Sequence, residues 1–416
     1  MIRQLMFSIV FACAASTFAA PPFPKPVAAW ASGPLEARIV LEAPLDDSPA
    51  KSLVGRTITF RETEPADSTS TKGTLNIAGA RLTEDRKTLI LATDPHPLDA
   101  TYQLNLGSRT VTYSLHGVDV TWTAADGAEP TWSGWWPGLD AAEMRRLAKF
   151  SSEHARLLPL LSQPGTLRIR GILTLPEGKH ALRINTSGVM DATIGDAAGT
   201  PGDAGAVNVD LDSTGEAADL DVTIATAPGT SFALTIATAG GAPIPNSSLL
   251  VPWAPIAPFV PDVPSQVPDL AGGDPVKGEQ VYNSETAKCA SCHKINGKGG
   301  DVGPDLTNQA DRDLAAIYRD INEPSATIHP DYVQYIVATK DGQVLAGIVR
   351  AEGEDAVKVI DATSKTSIIP RSEIEDLRPG SASLMPVGLA GAIGEERMKD
   401  LVVYLRRGGK PAATPK

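Results

Sequence analysis

Residues Cys289-Ala290-Ser291-Cys292-His293 place two thiols three positions apart and an imidazole immediately after the second. On a helix that spacing leaves both sulfurs about one turn apart on one side. Three chemistries use such a set. A thioredoxin-like redox disulfide sits in a βαβ pattern, and none surrounds these residues. A zinc site wants four ligands, whereas one histidine adjoins the pair and no second cysteine pair exists. The third is covalent attachment of haem. The sulfurs reach two vinyl groups along one porphyrin edge, and His293 swings under the ring to ligate iron. This chemistry alone uses all three residues, and it predicts one covalent haem c.

The neighbouring residues suit that chemistry. Asp274-Pro275 marks a helix start, an N-cap followed by proline at the first helical position. Glycines in Gly297-Lys298-Gly299-Gly300 lead to Gly303-Pro304-Asp305-Leu306. Near the end, Met398, Leu401, Val402 and Leu405 form one face of a helix from Glu395 to Leu405. With the cysteine motif, these features make residues 273–410 resemble a class I cytochrome c domain, mainly α. The resemblance implies that Pro304 offers its carbonyl to the outer N–H of His293, which fixes the ring and makes it more basic. It also implies that Gly278, Tyr282 and Tyr404 meet where the first and last helices cross.

One stretch departs from a plain cytochrome. After a helix from Asp313 to Asn322, ended by Glu323-Pro324-Ser325, the pattern turns to strands: Tyr332 to Thr339, Val344 to Arg350, Val357 to Asp361 and Ser367 to Ile369, with a turn at Asp341-Gly342. This is a β-meander inserted in the haem domain. Pro324-Ser325, Tyr332, Thr339-Lys340-Asp341-Gly342, Gly347, Ile374 and Ser383-Leu384-Met385-Pro386 match the planctomycete-type haem-binding domain over residues 274–406. That resemblance implies haem c and electron transfer, often beside a dehydrogenase module. No such catalytic module is recognisable here.

An iron held by His293 has a second face. Methionine commonly closes it in electron-transfer cytochromes, because the soft sulfur favours ferrous iron and raises the potential. The haem domain offers Met385 and Met398. Met398 belongs to the apolar helix stripe. Met385 precedes Pro386, which disfavours helix at that position, so it falls in a loop free to turn its sulfur toward iron. Met385 is therefore assigned as the sixth ligand. His329, before Pro330, is the rival.

The rest of the chain must present this domain. Of 416 residues 42% are hydrophobic, enough for two or three packed domains, and Gly (37) and Pro (34) favour strands and turns over long helices. Strand patterns over 26–125 resemble an Ig-like sandwich. Strands return over 130–250 after one helix capped at Asp140, and Leu167 to Leu182 resembles the strand-turn-strand of a PA14-like β-sandwich, which implies carbohydrate as a possible ligand. Pro252, Pro255, Pro258, Pro261 and Pro264 then recur every third residue, the period of polyproline II, so 251–272 is expected to be a semi-rigid linker. Asp210, Asp212 and Asp221 imitate a calcium loop but read as a polar hairpin. His96, His116, His154 and His180 read as structural or surface residues.

Residues 1–19 read as a signal peptide: Arg3, a short apolar run from Leu5 to Ala15, and cleavage after Ala19. Cys13 leaves with it; a lipid-attachment site there fits poorly. Removing Arg3 takes the net charge from −12 to −13. An acidic chain without a basic face excludes nucleic acid as a partner. No later run is long enough for a transmembrane segment. The expected location is periplasmic or extracellular, where c-type haem is attached. The function these residues predict is electron transfer by an exported mono-haem cytochrome, not itself an enzyme. Its partner would be a redox protein, a dehydrogenase or another cytochrome. Two alternatives stand beside it: a haem enzyme or sensor with an open sixth site, acting on peroxide or binding gas, and a carbohydrate-binding protein with auxiliary haem.

Overall fold

The computed structural model describes residues 23–408, apart from 63–71, 140, 186–187, 203–205, 229–234, 239, 256–268, 270–271 and 327. The expected signal peptide, the expected cap at Asp140 and most of the proline-rich stretch lie outside the described residues. Among the described residues no helix is long and apolar enough to cross a membrane.

The N-terminal region is mostly β. The strands β1 (Pro26–Gly33), β2 (Glu36–Leu41), β3 (Thr57–Glu62), β4 (Lys72–Leu82), β5 (Thr88–Thr93), β6 (Ala100–Leu106) and β7 (Arg109–Tyr113), with a short α1 (Asp47–Lys51), form one sheet in the order β1-β2-β5-β4-β3-β6-β7. Period-two alternation sets the inner face. In β6, Ala100, Tyr102, Leu104 and Leu106 are buried while the residues between them are exposed. They pack with Trp30, Ile39, Ile58 and Phe60. Val251 and Ala254, at the start of the expected linker, are buried in the same core.

The next strand, β8 (Val118–Ala124), was expected with this group but hydrogen-bonds in the following one. It pairs with β9 (Trp132–Trp136) and β10 (Gly165–Thr174). Its inward Val118, Val120 and Trp122 belong to a second core with Leu167, Ile169 and Ile224. Two helices, not one, separate β9 from β10: α2 (Ala141–Ala148) and α3 (Ser152–Leu160), the latter capped by Ser151, whose hydroxyl accepts from the His154 N–H. Further strands complete this unit: β11 (Gly178–Asn185), β12 (Val189–Ile194), β13 (Ala197–Ala198), β14 (Thr200–Pro201), β15 (Val207–Ser213), β16 (Ala217–Thr226), β17 (Thr235–Thr238) and β18 (Leu249–Leu250). They form two sheets, β13-β12-β16-β10-β8-β9 with β18 on β10, and β14-β15-β11-β17. Asp210 and Asp212 lie on β15 and Asp221 on β16, on either side of a turn at Gly215.

The C-terminal region is mixed. It contains α4 (Pro275–Tyr282), α5 (Cys289–Cys292), the small pair β19 (Lys294–Ile295) and β20 (Lys298–Gly299), then α6 (Leu314–Asn322). After them come β21 (Gln334–Thr339), β22 (Val344–Glu352), β23 (Ala356–Ile360), β24 (Thr366–Pro370) and β25 (Ile374–Pro379), in the order β24-β23-β22-β21-β25. Helices α7 (Leu389–Ile393) and α8 (Glu395–Arg406) end the region. Asp274 caps α4, accepting from the Val276 N–H at 2.8 Å. Helices α4 and α8 cross at Gly278, where an added Cβ would collide with the Asp400 carbonyl and lie 2.6 Å from Tyr404 Cβ. Beside that contact the Tyr282 and Tyr404 rings are 5.7 Å apart.

The meander does not stand free. Leu35, from the turn between β1 and β2, is buried among Tyr335, Val337, Val349 and Val359. The Arg371 guanidinium donates to the Leu35 carbonyl at 2.9 Å and the Thr93 carbonyl at 3.2 Å. The Ala351 N–H donates to Asp94 at 2.7 Å, and the Tyr335 hydroxyl to the His96 carbonyl at 3.2 Å. The inserted sheet is thereby seated on the first β-unit.

Candidate functional site

Helix α5 is a single turn that ends as His293 leaves it in extended conformation (φ −112°, ψ 143°). Cys289, Cys292 and His293 line one cavity of about 660 Å³. The imidazole is fixed from behind, its Nδ1–H donating to the Pro304 carbonyl at 2.9 Å. That tautomer leaves Nε2 with its lone pair. Burial holds the ring below the usual imidazole range, and the bond to the Pro304 carbonyl pulls the other way. Burial also pushes the Cys289 thiol up to about 11, so before any attachment it is neutral at pH 7.

The loop after the motif fixes this geometry. Backbone N–H groups of Gly300 and Gly303 donate to the carbonyls of Ala290 (2.9 Å) and Cys292 (2.8 Å). Gly303 packs directly against the imidazole: a Cβ there would come within 2.5 Å of Cε1 and 2.8 Å of Nδ1. The Tyr282 hydroxyl donates to the His293 carbonyl at 2.6 Å. The turn carrying Pro304 is tied by Asp305, which accepts from the Thr307 N–H at 2.8 Å. Thr307 in turn accepts from the Asn296 N–H at 2.8 Å.

Ile317 and Ile321 of α6, Leu384, Met385 and Leu389 line the same cavity. Met385 is half-buried and packs on the helical core alongside Cys289. Met398 is fully buried in that core and does not line the cavity. His329 also lines the cavity but is exposed, and its Nδ1 accepts from the Asp331 N–H at 3.3 Å, capping the turn Pro330–Tyr332. The structure thus gathers Cys289, Cys292, His293, Pro304, Met385 and His329 around one space. Gly303 and the two serines behind Met385, Ser325 and Ser383, stand in the motifs quoted from the sequence, but no role was assigned to them there, because nothing in their types marks what they touch. Among the described residues no three His, Cys, Asp or Glu side chains cluster as a ready metal site.

The family model for cytochrome c matches residues 275–360. This region is a cytochrome c-like domain. The match covers α4 through most of the meander and stops short of Met385. The family implies covalently bound haem c. The cytochrome c-like domain fits that group: two thiols and an imidazole with an uncommitted Nε2 open onto one apolar-walled cavity, whose volume lies in the ordinary range for ligand pockets. No curated protein matches the chain. A solved structure, an anti-sigma factor domain-containing protein, aligns with 52% of this chain and 84% of its own at 9% identity. Its TM-score is 0.25, too low to bear on fold or function.

Proposed function

We propose that this chain is an exported, mono-haem electron carrier. Cys289 and Cys292 would hold the porphyrin by thioethers, His293 would ligate iron through Nε2, and Met385 would close the opposite face. The bound haem supplies a one-electron ferric–ferrous couple. The chain's own residues do the rest. Pro304 fixes the His293 tautomer and orientation, and a hydrogen bond to Nδ1–H makes Nε2 a stronger donor. Apolar walls exclude water, and a neutral thioether at Met385 favours the ferrous form.

The observation that carries this reading is the single cavity shared by Cys289, Cys292, His293 and Met385. A hydrogen bond favours Met385 over His329. Because His329 Nδ1 accepts from a backbone N–H, a neutral ring there carries its proton on Nε2 and has no lone pair to give the iron. The β-units, Ig-like and PA14-like in pattern, would dock the carrier to a periplasmic dehydrogenase, another cytochrome or a glycan.

The test is expression with haem-maturation machinery, followed by denaturing electrophoresis and haem staining. The full chain should stain with one haem per polypeptide, and Cys289→Ala with Cys292→Ala should abolish the stain. An unstained wild-type chain made beside a correctly matured control cytochrome sinks the proposal.

A further inference from the structure

We propose that Ser325 and Ser383 are positioning residues for Met385, joined to it in a two-bond relay. The inference rests on Met385 being the sixth ligand. Chain order makes the need for such a relay plain. After α6 the chain departs into the meander and returns only after Pro379. The returning segment must then bring Met385 back to a cavity wall built by α6. The Ser383 N–H donates to Ser325 Oγ at 3.0 Å, across 58 positions of sequence. The Met385 N–H donates to Ser383 Oγ at 3.1 Å. Ser325 follows the buried Pro324 just beyond the end of α6. The relay thus pins the backbone of Met385 to the exit of the helix whose Ile317 and Ile321 line the cavity.

A neutral thioether is a weak ligand, readily displaced when its backbone can swing away. Holding that backbone slows opening without touching the sulfur. Removing either hydroxyl should therefore speed displacement of Met385 by an added ligand while leaving the resting sulfur-to-iron spectrum in place.

The experiment uses the full-length haem-loaded chain and measures the rate at which imidazole binds the ferric protein. Ser325→Ala and Ser383→Ala should each raise that rate roughly fivefold, the factor corresponding to one lost neutral hydrogen bond. The double variant should fall short of the product of the two, because the bonds act in series. Ser325→Thr, which keeps the hydroxyl, should restore a near-native rate. Amide hydrogen exchange at Met385 should rise in both alanine variants. Native imidazole rates in both, alongside fast binding in Met385→Ala, overturn the relay and leave the ligand assignment standing. A lowered melting temperature with an unchanged rate overturns it equally. A native spectrum and rate in Met385→Ala overturn the assignment on which the relay depends.

Discussion

Gly303 and His293 approach too closely for any side chain between them: an added Cβ on the glycine would lie 2.5 to 2.9 Å from three atoms of the imidazole ring. The same ring donates from Nδ1 to the next residue's carbonyl, at Pro304. Ring packing and ring hydrogen bonding are thus set by two consecutive residues of one turn.

Replacing Gly303 by Ala should push the imidazole off that bond. Overpacking of this kind costs about 1–3 kcal/mol. Gly391→Ala is the matched control, since Gly391 lies inside α7 with nothing within 4 Å of its would-be Cβ. There alanine should be neutral or stabilise by up to about 1 kcal/mol through helix propensity. Urea denaturation of both variants decides the matter. Equal stabilities would mean that the ring relaxes freely and Gly303 does not set its position.

Arg371 joins the inserted sheet to the first β-unit through two charge-assisted bonds to backbone carbonyls. Arg371→Met keeps most of the side-chain length and loses the donors. The expected loss is about 1–3 kcal/mol. Calorimetry should also show the β-unit and the haem domain melting in more clearly separated transitions. A single transition at the wild-type temperature would show that the buried Leu35 contact suffices.

Legibility in the sequence followed the range of the interaction. The haem motif was readable because its chemistry is confined to five adjacent residues, and the loop position of Met385, now seen on the cavity wall, because Pro386 follows it. Strands such as Ala100–Leu106 were readable from their alternation. Their order was not, since β2 lies beside β5 and β3 beside β6 through pairings no local pattern encodes. Helix α3 was missed because Pro159 lies inside it and reads as a breaker, while the Ser151 cap is a single residue. The seating of the meander on the β-unit was invisible for a different reason. It depends on ordinary residues, Leu35, Asp94 and Arg371, whose partners lie hundreds of positions away.

His96 predicts an acid sensitivity outside the haem domain. It is fully enclosed, with Nδ1 donating to the Pro34 carbonyl at 2.9 Å and the Tyr113 hydroxyl 3.0 Å from Nε2. Burial lowers its pKa from the ordinary 6.5 to about 4. Between those values the unfolded chain binds a proton that the folded chain refuses, so stability falls as the pH drops from 6.5 toward 4. The whole loss is about 3 kcal/mol, and above pH 6.5 this group adds no pH dependence. Asp119 works in the opposite sense, since burial raises its carboxyl to about 6 and the folded state then takes up the proton more readily. The difference between wild type and His96→Gln isolates the histidine. Urea midpoints measured from pH 7.5 to 4.5 should converge as the pH falls. Parallel curves would show that His96 is not held neutral.

The assignment of the sixth ligand is decided by three substitutions. Met385→Ala in the haem-loaded chain should abolish the weak sulfur-to-iron band, lower the reduction potential and open the iron to CO. Each effect follows from removing a soft sulfur from one face of the haem. Met398→Leu should leave all three nearly unchanged, because Met398 is sealed in the helical core away from the cavity and the swap conserves volume. His329→Gln should also leave the spectrum unchanged, because His329 Nδ1 is engaged with the Asp331 N–H and its ring is exposed. A Met385→Ala protein with a native ferric spectrum contradicts the assignment. In that case loss of the spectrum in His329→Gln would name the histidine instead. The Asp331 hydrogen bond would then have to break on haem binding, freeing Nδ1 to take the proton and Nε2 to take the iron.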